Sequence, residues 1–507
     1  MRRALTGTLA AVALLSGCTG TTERKDGPAE GAVRILASSE LRDMEPIVER
    51  VGADIGVDVS LSYTGTLDAV DTLAKGKADH RYQAVWLSSN DYLRLRPEAA
   101  RRVVSETEVM ASPVAIGVKQ ATLGELGWQP DDVTWAQVAE AVRDDGLTYG
   151  MTDPTVSNSG FSTLISVASA LSGAQSALTD EDVTKATPRL KEFFQGQQLT
   201  SGSSGWLASA YKRRGNVDAL INYESVLKGI PELTVIRPRD GVVTADYPLS
   251  TLTTADAAQR DAVRRLTEAL RTPEIQREIT ERTHRRPVVP SVAPAAGLGT
   301  DRRRELAFPG SRSVADGLLD AYDNELRRPS RTVYVLDTSG SMEGDRLKRL
   351  KKALTDVSAD FRGREEVTLM PFGSEVKDVR GLAMDADPRD GIEDVRAEIR
   401  ALTAEGDTAI YSSLEEAYGQ LRGERDMFTS IMLMTDGENT TGSTAAEFEG
   451  FYRALSPAQR QIPVFPILFG DSDRSELEHI ADLTGGRLFD ARTGSLDGAF
   501  EEIRGYQ

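Results

Sequence analysis

The sequence predicts an α/β protein made of a two-lobed domain followed by a doubly wound domain. In the first half, strands near residues 33–38, 57–63 and 84–87 alternate with amphipathic helical segments, and such a run forms a parallel sheet. In the second half, apolar strands again alternate with helical faces, as in an open doubly wound sheet. A chain of 507 residues has room for two or three domains.

The first residues are expected to direct secretion. Arg2 and Arg3 are basic, and residues 5–15 form an apolar run that is too short to span a bilayer. We therefore interpret residues 1–17 as a signal peptide. Cys18 follows and is the single cysteine of the chain, so no disulfide can form within it. A lone thiol in a secreted protein needs an explanation.

The segment Leu15-Ser16-Gly17-Cys18 resembles the lipobox of bacterial lipoproteins. The resemblance implies lipid on Cys18 and a place on the extracytoplasmic face of the cell membrane. The alternative is an ordinary signal peptide with an incidental cysteine. Residues 18–31 are small, polar and charged, which predicts a flexible tether. Later in the chain no stretch reaches transmembrane length, so attachment would depend on lipid alone.

Composition and motifs argue against several classes of function. Lys and Arg total 60 against 78 Asp and Glu, a formal net charge of -18, and loss of residues 1–17 makes it -20. So acidic a chain is not expected to bind nucleic acid or an anionic surface. The histidines, His80, His284 and His479, lie near no nucleophile motif, and hydrolase, metalloprotease and phosphate-loop motifs are absent. We expect no enzymatic activity.

The predicted strands of the first half end in hydroxyl-bearing residues, and strand ends of a parallel sheet line ligand clefts. Residues 109–118 predict a crossing strand into a second lobe, and residues 246–249 predict the return. The helix that begins near Ser157 offers free N–H groups to an anion. Asp68, Asp91 and Glu224 would oppose an anion and leave a neutral, cationic or peptide ligand open. The candidate ligand-binding residues are Ser38, Ser39, Thr64, Thr66, Ser88, Ser89, Ser157, Ser159 and Tyr223.

This half resembles a bacterial extracellular solute-binding protein of the two-lobed periplasmic type, near the molybdate- and sulfate-binding kind. The resemblance rests on Tyr63-Thr-Gly-Thr66, Trp86-Leu-Ser-Ser-Asn90, Ser157-Asn-Ser-Gly160 and Asn222-Tyr-Glu-Ser225. It implies a type 2 periplasmic-binding-protein fold over residues 32–300 and a small solute or oxyanion between the lobes. The alternative for the same Ser and Thr residues is ordinary helix capping.

Residues 301–330 predict a linker that ends in a short helix. An Ala-, Pro- and Gly-rich segment at 291–299 marks the boundary before it, and apolar residues recur at helical spacing from Val314 to Tyr322. The basic runs 302–304 and 327–328 are each local. We interpret them as solvated linker charge rather than as a binding patch.

The second domain opens with an apolar strand that breaks at Asp337 into a polar loop, and a helix follows. The loop places Asp337, Ser339 and Ser341 at the carboxyl end of a strand and offers oxygen ligands only. Such ligands favour Mg²⁺, Ca²⁺ or Mn²⁺. Taken alone, the loop also fits an ordinary turn. Two later segments carry further oxygens: Gly406-Asp407-Thr408 opens a helix, and Thr435-Asp436-Gly437 ends an apolar strand.

The motifs D-T-S-G-S, G-D-T and T-D-G, in that order, resemble a von Willebrand factor A domain with its metal-ion-dependent adhesion site. The resemblance implies a Rossmann-like domain over residues 331–507 and a site for Mg²⁺, or for Ca²⁺ or Mn²⁺. It also implies a protein partner that offers an Asp or Glu to the metal. The implied metal ligands are Asp337, Ser339, Ser341, Thr408 and Asp436.

Together these features predict a membrane-anchored, extracytoplasmic binding protein with a metal-dependent interaction domain and a solute-binding-like module. One alternative is the substrate-binding receptor of an ABC-type transporter with an accessory von Willebrand factor A domain. A structural assembly factor is a third class.

Overall fold

The computed structural model describes residues 32–359, 361, 363–384, 389–423, 427–468 and 474–491. The predicted signal peptide, Cys18 and the predicted tether up to residue 31 lie outside the described residues. Within the described ranges, the chain folds into a two-lobed α/β domain and a doubly wound α/β domain, so the predicted fold class is confirmed. None of the helices in these ranges is long and apolar enough to cross a bilayer.

The secondary structure of the first domain begins at residue 33. Its strands are β1 (Val33–Ser38), β2 (Val59–Thr64), β3 (Ala84–Trp86), β4 (Val103–Glu108), β5 (Met110–Lys119), β6 (Tyr149–Thr152), β7 (Gln197–Ser201), β8 (Ala219–Tyr223), β9 (Leu233–Ile236), β10 (Thr244–Ala245), β11 (Pro248–Leu252) and β12 (Arg286–Pro287). Its helices are α1 (Glu45–Ile55), α2 (Thr66–Ala74), α3 (Asp91–Arg94), α4 (Pro97–Ala100), α5 (Gln120–Leu126), α6 (Trp135–Arg143), α7 (Asn158–Ser172), α8 (Asp180–Gln195), α9 (Ser204–Arg214), α10 (Glu224–Lys228), α11 (Ala257–Leu270) and α12 (Pro273–Thr283).

The secondary structure of the linker and second domain continues in the same numbering. The strands are β13 (Ser330–Asp337), β14 (Glu365–Phe372), β15 (Arg380–Met384), β16 (Phe428–Thr435), β17 (Val464–Leu468) and β18 (Phe489–Asp490). The helices are α13 (Arg312–Ala321), α14 (Asp345–Ser358), α15 (Arg389–Ala401), α16 (Ile410–Gln420), α17 (Ala445–Ala454) and α18 (Arg474–Thr484).

Each lobe of the first domain is built on its own sheet. The first lobe has the strand order β2-β1-β3-β11-β4, with β1 parallel to both of its neighbours and β11 antiparallel to both of its own. The second lobe has the order β10-β5-β8-β6-β7. The chain passes between lobes from β4 into β5 and returns from β10 into β11, as predicted from residues 109–118 and 246–249.

A buried polar strand and a proline-containing helix fill a part of the second lobe that the sequence did not predict. β7 reads Gln-Gln-Leu-Thr-Ser and is largely buried, although it lacks the apolar pattern of a buried strand. α8 contains Pro188, a residue that usually ends or kinks a helix. In both elements tertiary packing and hydrogen bonds outweigh local propensity.

The second domain has one sheet with helices on both faces, as predicted. The strand order is β15-β14-β13-β16-β17-β18, parallel except at the β14–β15 pair. α14 and α15 cover one face through residues such as Leu350 and Val395, and α16, α17 and α18 cover the other through Leu414, Phe448 and Leu477. β13 is central, so the loop after Asp337 lies at the middle of the sheet's carboxyl edge.

Arg327 and Arg328 are buried at the junction of the two domains, with 4% and 7% exposure. Arg327 pairs with Glu365 at 3.1 Å. Arg328 donates to the Gln197 carbonyl at 3.2 Å in the first domain and to the Met427 carbonyl at 3.2 Å in the second. The interpretation of these two arginines as solvated linker charge is therefore wrong. The guanidinium group carries enough donors to satisfy backbone carbonyls of both domains at once.

The two domains meet at the amino edge of the second domain's sheet. A cavity of about 950 Å³ lies there, lined by Thr148 and Gln198 on one side and by Met427, Phe428 and Gln461 on the other. β13 begins at this junction with Ser330 and ends seven residues later at Asp337. At a rise of about 3.3 Å per residue, the two ends are about 23 Å apart. The candidate metal loops therefore face away from the first domain.

Candidate functional site

Backbone hydrogen bonds hold the three predicted metal loops together. Gly340 N donates to Gly406 O at 2.8 Å, and Glu405 N donates to Thr338 O at 2.9 Å, which joins the first loop to the second. Thr440 N donates to Thr408 O at 2.8 Å and joins the second loop to the third. The first and third loops leave the sheet at its carboxyl edge, the position where open α/β sheets bind ligands.

The two carboxylates of the loops are buried and already accept hydrogen bonds. Asp337 is fully buried; its Oδ1 accepts from Ser339 N at 2.9 Å, and its Oδ2 accepts from Thr435 Oγ1 at 2.6 Å. Asp436 is 3% exposed, and its Oδ1 accepts from Ser341 Oγ at 3.0 Å. These bonds orient both carboxylates toward the loop hydroxyls.

The three hydroxyls lie around the same point. Ser339 Oγ and Ser341 Oγ are 3.0 Å apart. A Cβ placed on Gly437 would lie 3.7 Å from Thr408 Oγ1 and 3.8 Å from Ser341 Oγ, so both hydroxyls face that glycine. The structure thus brings together all five predicted residues: Asp337, Ser339, Ser341, Thr408 and Asp436.

Charge at the site is balanced by one arginine and influenced by one lysine. Burial raises the pKa of the Asp337 carboxyl, and the nearby Asp436 adds to this effect. Arg346 Nη1 donates to Asp436 Oδ2 at 2.6 Å. Lys377 Nζ donates to Thr338 O at 2.8 Å, and burial lowers the pKa of this lysine. The sequence predictions missed Thr435 and Arg346, although each lies close in sequence to a predicted ligand.

The donor set fits a hard divalent cation. It contains two carboxylates and three hydroxyls, all oxygens, which is the chemistry that Mg²⁺, Ca²⁺ and Mn²⁺ prefer. Neither this site nor any other place in the described ranges has three or more His, Cys, Asp or Glu side chains arranged to hold a metal ion. A cation here would therefore depend on the hydroxyls as well as on the two carboxylates.

A second cluster of predicted residues lies at the carboxyl edge of the first-lobe sheet. Ser38 Oγ and Thr66 Oγ1 are 2.7 Å apart, and Thr66 Oγ1 and Ser88 Oγ are 3.0 Å apart. Ser88 Oγ also donates to the Glu40 carboxylate. These side chains are buried apart from the half-buried Glu40, so the hydroxyls of the first lobe satisfy one another and one carboxylate.

The second lobe carries a matching cluster at the start of α7. Ser159 Oγ is 3.1 Å from Ser157 Oγ and 2.8 Å from Ser204 Oγ. Asn158 Nδ2 donates to the Tyr223 hydroxyl at 3.0 Å. That hydroxyl also contacts Ser88, and burial raises the pKa of Tyr223 well above its usual value. Tyr223 therefore joins the hydroxyl clusters of the two lobes.

Three predicted ligand residues have other surroundings. Ser89 Oγ accepts from the backbone N–H of Asp91, the first residue of α3, at 3.1 Å, although the N-cap of that helix is Asn90. Ser39 begins a 3₁₀ turn (Ser39–Met44), and Thr64 ends β2 half-buried.

The charges that surround the cleft differ from those expected. Glu224 accepts two hydrogen bonds from Arg286, at 2.7 and 2.9 Å, so its charge is paired. Glu40 instead is the carboxyl next to the hydroxyls, and burial raises its pKa. The fully buried Arg285 donates to Asp43 at 2.7 Å and to Glu40 O at 2.9 Å. Glu40 directly follows the predicted Ser38 and Ser39, which is the signal that could have identified it.

The lobes touch across the cleft. Leu67 N in the first lobe donates to Val156 O in the second at 3.4 Å. Gly65 permits this approach, because a Cβ there would lie 2.6 Å from Val156 O. The structure is thus closed around the joined hydroxyl clusters.

The comparisons with known proteins agree with this geometry. The family model described as bacterial extracellular solute-binding protein matches residues 33–282, and the one described as von Willebrand factor type A domain matches residues 332–438. Inter-alpha-trypsin inhibitor heavy chain H4 of Sus scrofa is 30% identical over 123 residues, which is 23% of this chain and 13% of that relative. Heavy chain H1 of Bos taurus is 28% identical over 185 residues, 34% of this chain and 20% of that relative.

The solved structures that the chain matches include a periplasmic binding protein and a sulfate-binding protein. AfuA from Actinobacillus pleuropneumoniae has a TM-score of 0.48 at 13% identity and is covered over 99% of its chain, against 59% of this one. The sulfate-binding protein SubI from Mycobacterium tuberculosis has a TM-score of 0.41 at 18% identity, covering 52% of this chain and 89% of its own.

The fold and the two family matches define a protein that combines two α/β domains of different families. Its first domain belongs to the bacterial extracellular solute-binding proteins, and its second is a von Willebrand factor type A domain. These families are in general binding proteins rather than enzymes. The chain spans a small part, 13%, of the first curated relative named above.

Proposed function

We propose that this protein is an extracytoplasmic, lipid-anchored binding protein that captures a protein partner through a divalent cation on the second domain. The observation that carries the proposal is the convergence of two buried carboxylates and three hydroxyls from separate loops on one exposed edge of the sheet.

The described residues account for how such a site would work. Asp337, Asp436 and the hydroxyls of Ser339, Ser341 and Thr408 would hold the cation. Mg²⁺ bound there would supply a coordination position that a carboxylate of the partner could fill. Thr435 and the Ser339 amide orient Asp337, so a ligand carboxylate is fixed before binding. Ser341 is exposed and lies where a partner would approach.

Pull-down from membranes with Mg²⁺ or with chelator tests the proposal. Asp337→Ala removes one of two charges and is expected to abolish Mg²⁺-dependent capture, whereas Ser341→Ala weakens it less. Asp345→Ala is the matched control, because that carboxylate is 90% exposed and pairs with Lys348. Capture that persists in chelator, or in folded Asp337→Ala, contradicts the proposal.

The anchor is tested separately. Lipid on Cys18 would hold the protein at the membrane, because the sequence before it resembles a lipobox. Two acyl chains give stable attachment, whereas one is marginal. Cys18→Ser is expected to leave the protein uncleaved or released. Normal lipid labelling and membrane retention of that variant would contradict lipid attachment.

A second candidate function is that of a transport receptor, favoured by the hydroxyl clusters that meet at Tyr223. A solute that binds the cleft would separate these clusters and replace their mutual hydrogen bonds. Thermal unfolding with sulfate, molybdate or phosphate tests this function, with Tyr223→Phe as the comparison. If none of these three anions raises the midpoint of thermal unfolding, the result argues that the cleft no longer binds a small ligand.

A further inference from the structure

Arg346 places a positive charge directly on the candidate metal site. It belongs to the first turn of α14, and its Nη1 lies 2.6 Å from Asp436 Oδ2 and 3.4 Å from Ser341 O. The Asp436 side chain is fully buried, whereas the Arg346 side chain is 33% exposed. One partner of the ion pair is thus fixed within the loops, and the other reaches in from solvent.

The other carboxylate of the site has neutral donors. Asp337 accepts from a hydroxyl and from a backbone amide. Lys377, the nearby lysine, directs its ammonium to two carbonyls, Thr338 O at 2.8 Å and Thr403 O at 3.3 Å. Asp436 is therefore the ligand whose charge is neutralised by direct contact with a side-chain cation.

We infer that Arg346 is a displaceable counter-cation, which competes with the divalent cation for Asp436 and so sets the metal affinity of the site. The inference rests on the proposed function. A buried carboxylate that is left without a positive partner is unfavourable, so the guanidinium stabilises the metal-free loops. A cation at Asp436 must offset the loss of that charge-assisted hydrogen bond, which weakens its net affinity.

Comparison with a fixed arginine at the domain junction supports displacement. Arg327 and its partner Glu365 are both buried, at 4% and 7% side-chain exposure, so neither can leave without exposing the core. Arg346 is one-third exposed and follows the exposed Asp345 at the start of its helix. Its side chain can turn outward into water and remain tethered at the rim of the site.

The test is a calorimetric titration of Mg²⁺ into the full chain. Arg346→Gln is expected to bind Mg²⁺ about tenfold more tightly than the wild type, since a hydrogen bond to a charged group typically contributes that much. Lys348→Gln is the matched control: it removes one charge from the same helix, where Lys348 is 77% exposed and paired with Asp345, and should change affinity less than twofold.

The outcomes separate this inference from the proposed function. Equal Mg²⁺ affinity of the wild type and Arg346→Gln overturns the role of Arg346 and leaves the metal site standing. No Mg²⁺ binding by either protein overturns both. Tighter binding by Arg346→Gln that Asp337→Ala abolishes supports both.

Metal-free stability gives a second readout. In chelator, Arg346→Gln should melt below the wild type because Asp436 loses its counter-charge, and Mg²⁺ should raise its melting point more than that of the wild type. Arg346→Lys keeps the charge with fewer donors and should lie between the two in both measurements. If Arg346→Gln does not fold, Arg346→Lys decides the matter. A folded Arg346→Lys whose Mg²⁺ affinity and melting point in chelator both equal those of the wild type overturns the inference.

Discussion

The hydroxyl of Thr435 donates a 2.6 Å hydrogen bond to Oδ2 of Asp337 across two neighbouring strands of the central sheet. Both residues are fully buried. Thr435→Val keeps the shape and removes this donor, so we expect Mg²⁺ affinity to fall about tenfold, since a hydrogen bond to a charged group contributes about 1.5–3 kcal/mol. Calorimetric titration of the folded variant measures the change.

The same strand supplies the control for Thr435. Thr429 is 8% exposed, and its Oγ1 has no hydrogen-bond partner among the described residues. Thr429→Val is therefore expected to leave Mg²⁺ affinity unchanged and the melting point unchanged or slightly higher. An equal loss of affinity in both variants would show that Thr435 does not act through Asp337.

Stability is expected to depend on pH through Asp246, which lies between β10 and β11 where the chain returns to the first lobe. Its Oδ1 is buried without a partner in the described chain. Burial, and then repulsion from Asp91, raises its pKa from 3.8 to about 7. Because the pKa of Asp246 is higher in the folded state than in the unfolded state, the free energy of unfolding is highest below pH 3.8. It falls by roughly 1 kcal/mol per pH unit as the pH rises to about 7.

Asp246→Asn removes this dependence. The variant should unfold at a higher urea concentration than the wild type at pH 8 and at a similar one at pH 4. Asp131→Asn, whose side chain is 92% exposed, is the control and should track the wild type at both pH values. The raised pKa is contradicted if the urea midpoint of the wild type does not fall, relative to that of Asp246→Asn, between pH 4 and pH 8.

Gly65 is expected to be required for the closed lobes. An alanine Cβ there would lie 2.6 Å from Val156 O, a backbone atom of the other lobe. Gly65→Ala should disfavour closure by about 1–3 kcal/mol, as overpacking does. Hydrogen exchange should show faster exchange of the Leu67 amide, which donates across the cleft.

A control for Gly65 lies on α5. Gly124 has no neighbouring atom within 4 Å of an added Cβ, so Gly124→Ala should leave exchange at Leu67 unchanged. Small-angle scattering on the two variants would show whether the radius of gyration rises only in Gly65→Ala. Unchanged exchange and scattering in Gly65→Ala would mean that the lobes close without this contact.

Arg328 is expected to hold the two domains together. Arg328→Ala removes donors to the Gln197 and Met427 carbonyls, at a cost on the order of 3 kcal/mol. Calorimetry should then show separate unfolding of the two domains where the wild type unfolds as one. Arg239→Ala, which breaks an ion pair with Asp132 at 66% and 70% exposure, should have little effect. An identical single transition in Arg328→Ala contradicts the prediction.

Local sequence was sufficient for the features that depend on strand ends. The first and third metal loops follow β13 and β16, and the second is the turn before α16. The carboxyl ends of the neighbouring parallel strands β13 and β16 must meet at one edge. Asp337 and Asp436 could therefore be placed together although 99 residues separate them. The crossings between the lobes were also predicted from single extended segments.

Features that depend on distant partners could not be predicted. Glu40 receives its hydrogen bond from Ser88, 48 residues away, and Arg328 donates to Gln197 and Met427, 131 and 99 residues away. A charged residue in a linker gives no local sign that carbonyls of two domains will surround it. The polar strand β7 likewise becomes a buried strand only when its neighbours supply hydrogen bonds.

The position of β13 has a mechanical consequence. Its first residue lies two positions after Arg328 at the domain junction, and its last residue is Asp337 at the metal loops. In the proposed function, tension between a captured partner and the lipid anchor would run along this strand. Because β13 pairs along its length with β14 and β16, such a pull loads both ladders in shear, so many hydrogen bonds share the force at once. An edge strand pulled along its axis would have only one ladder to carry the same force.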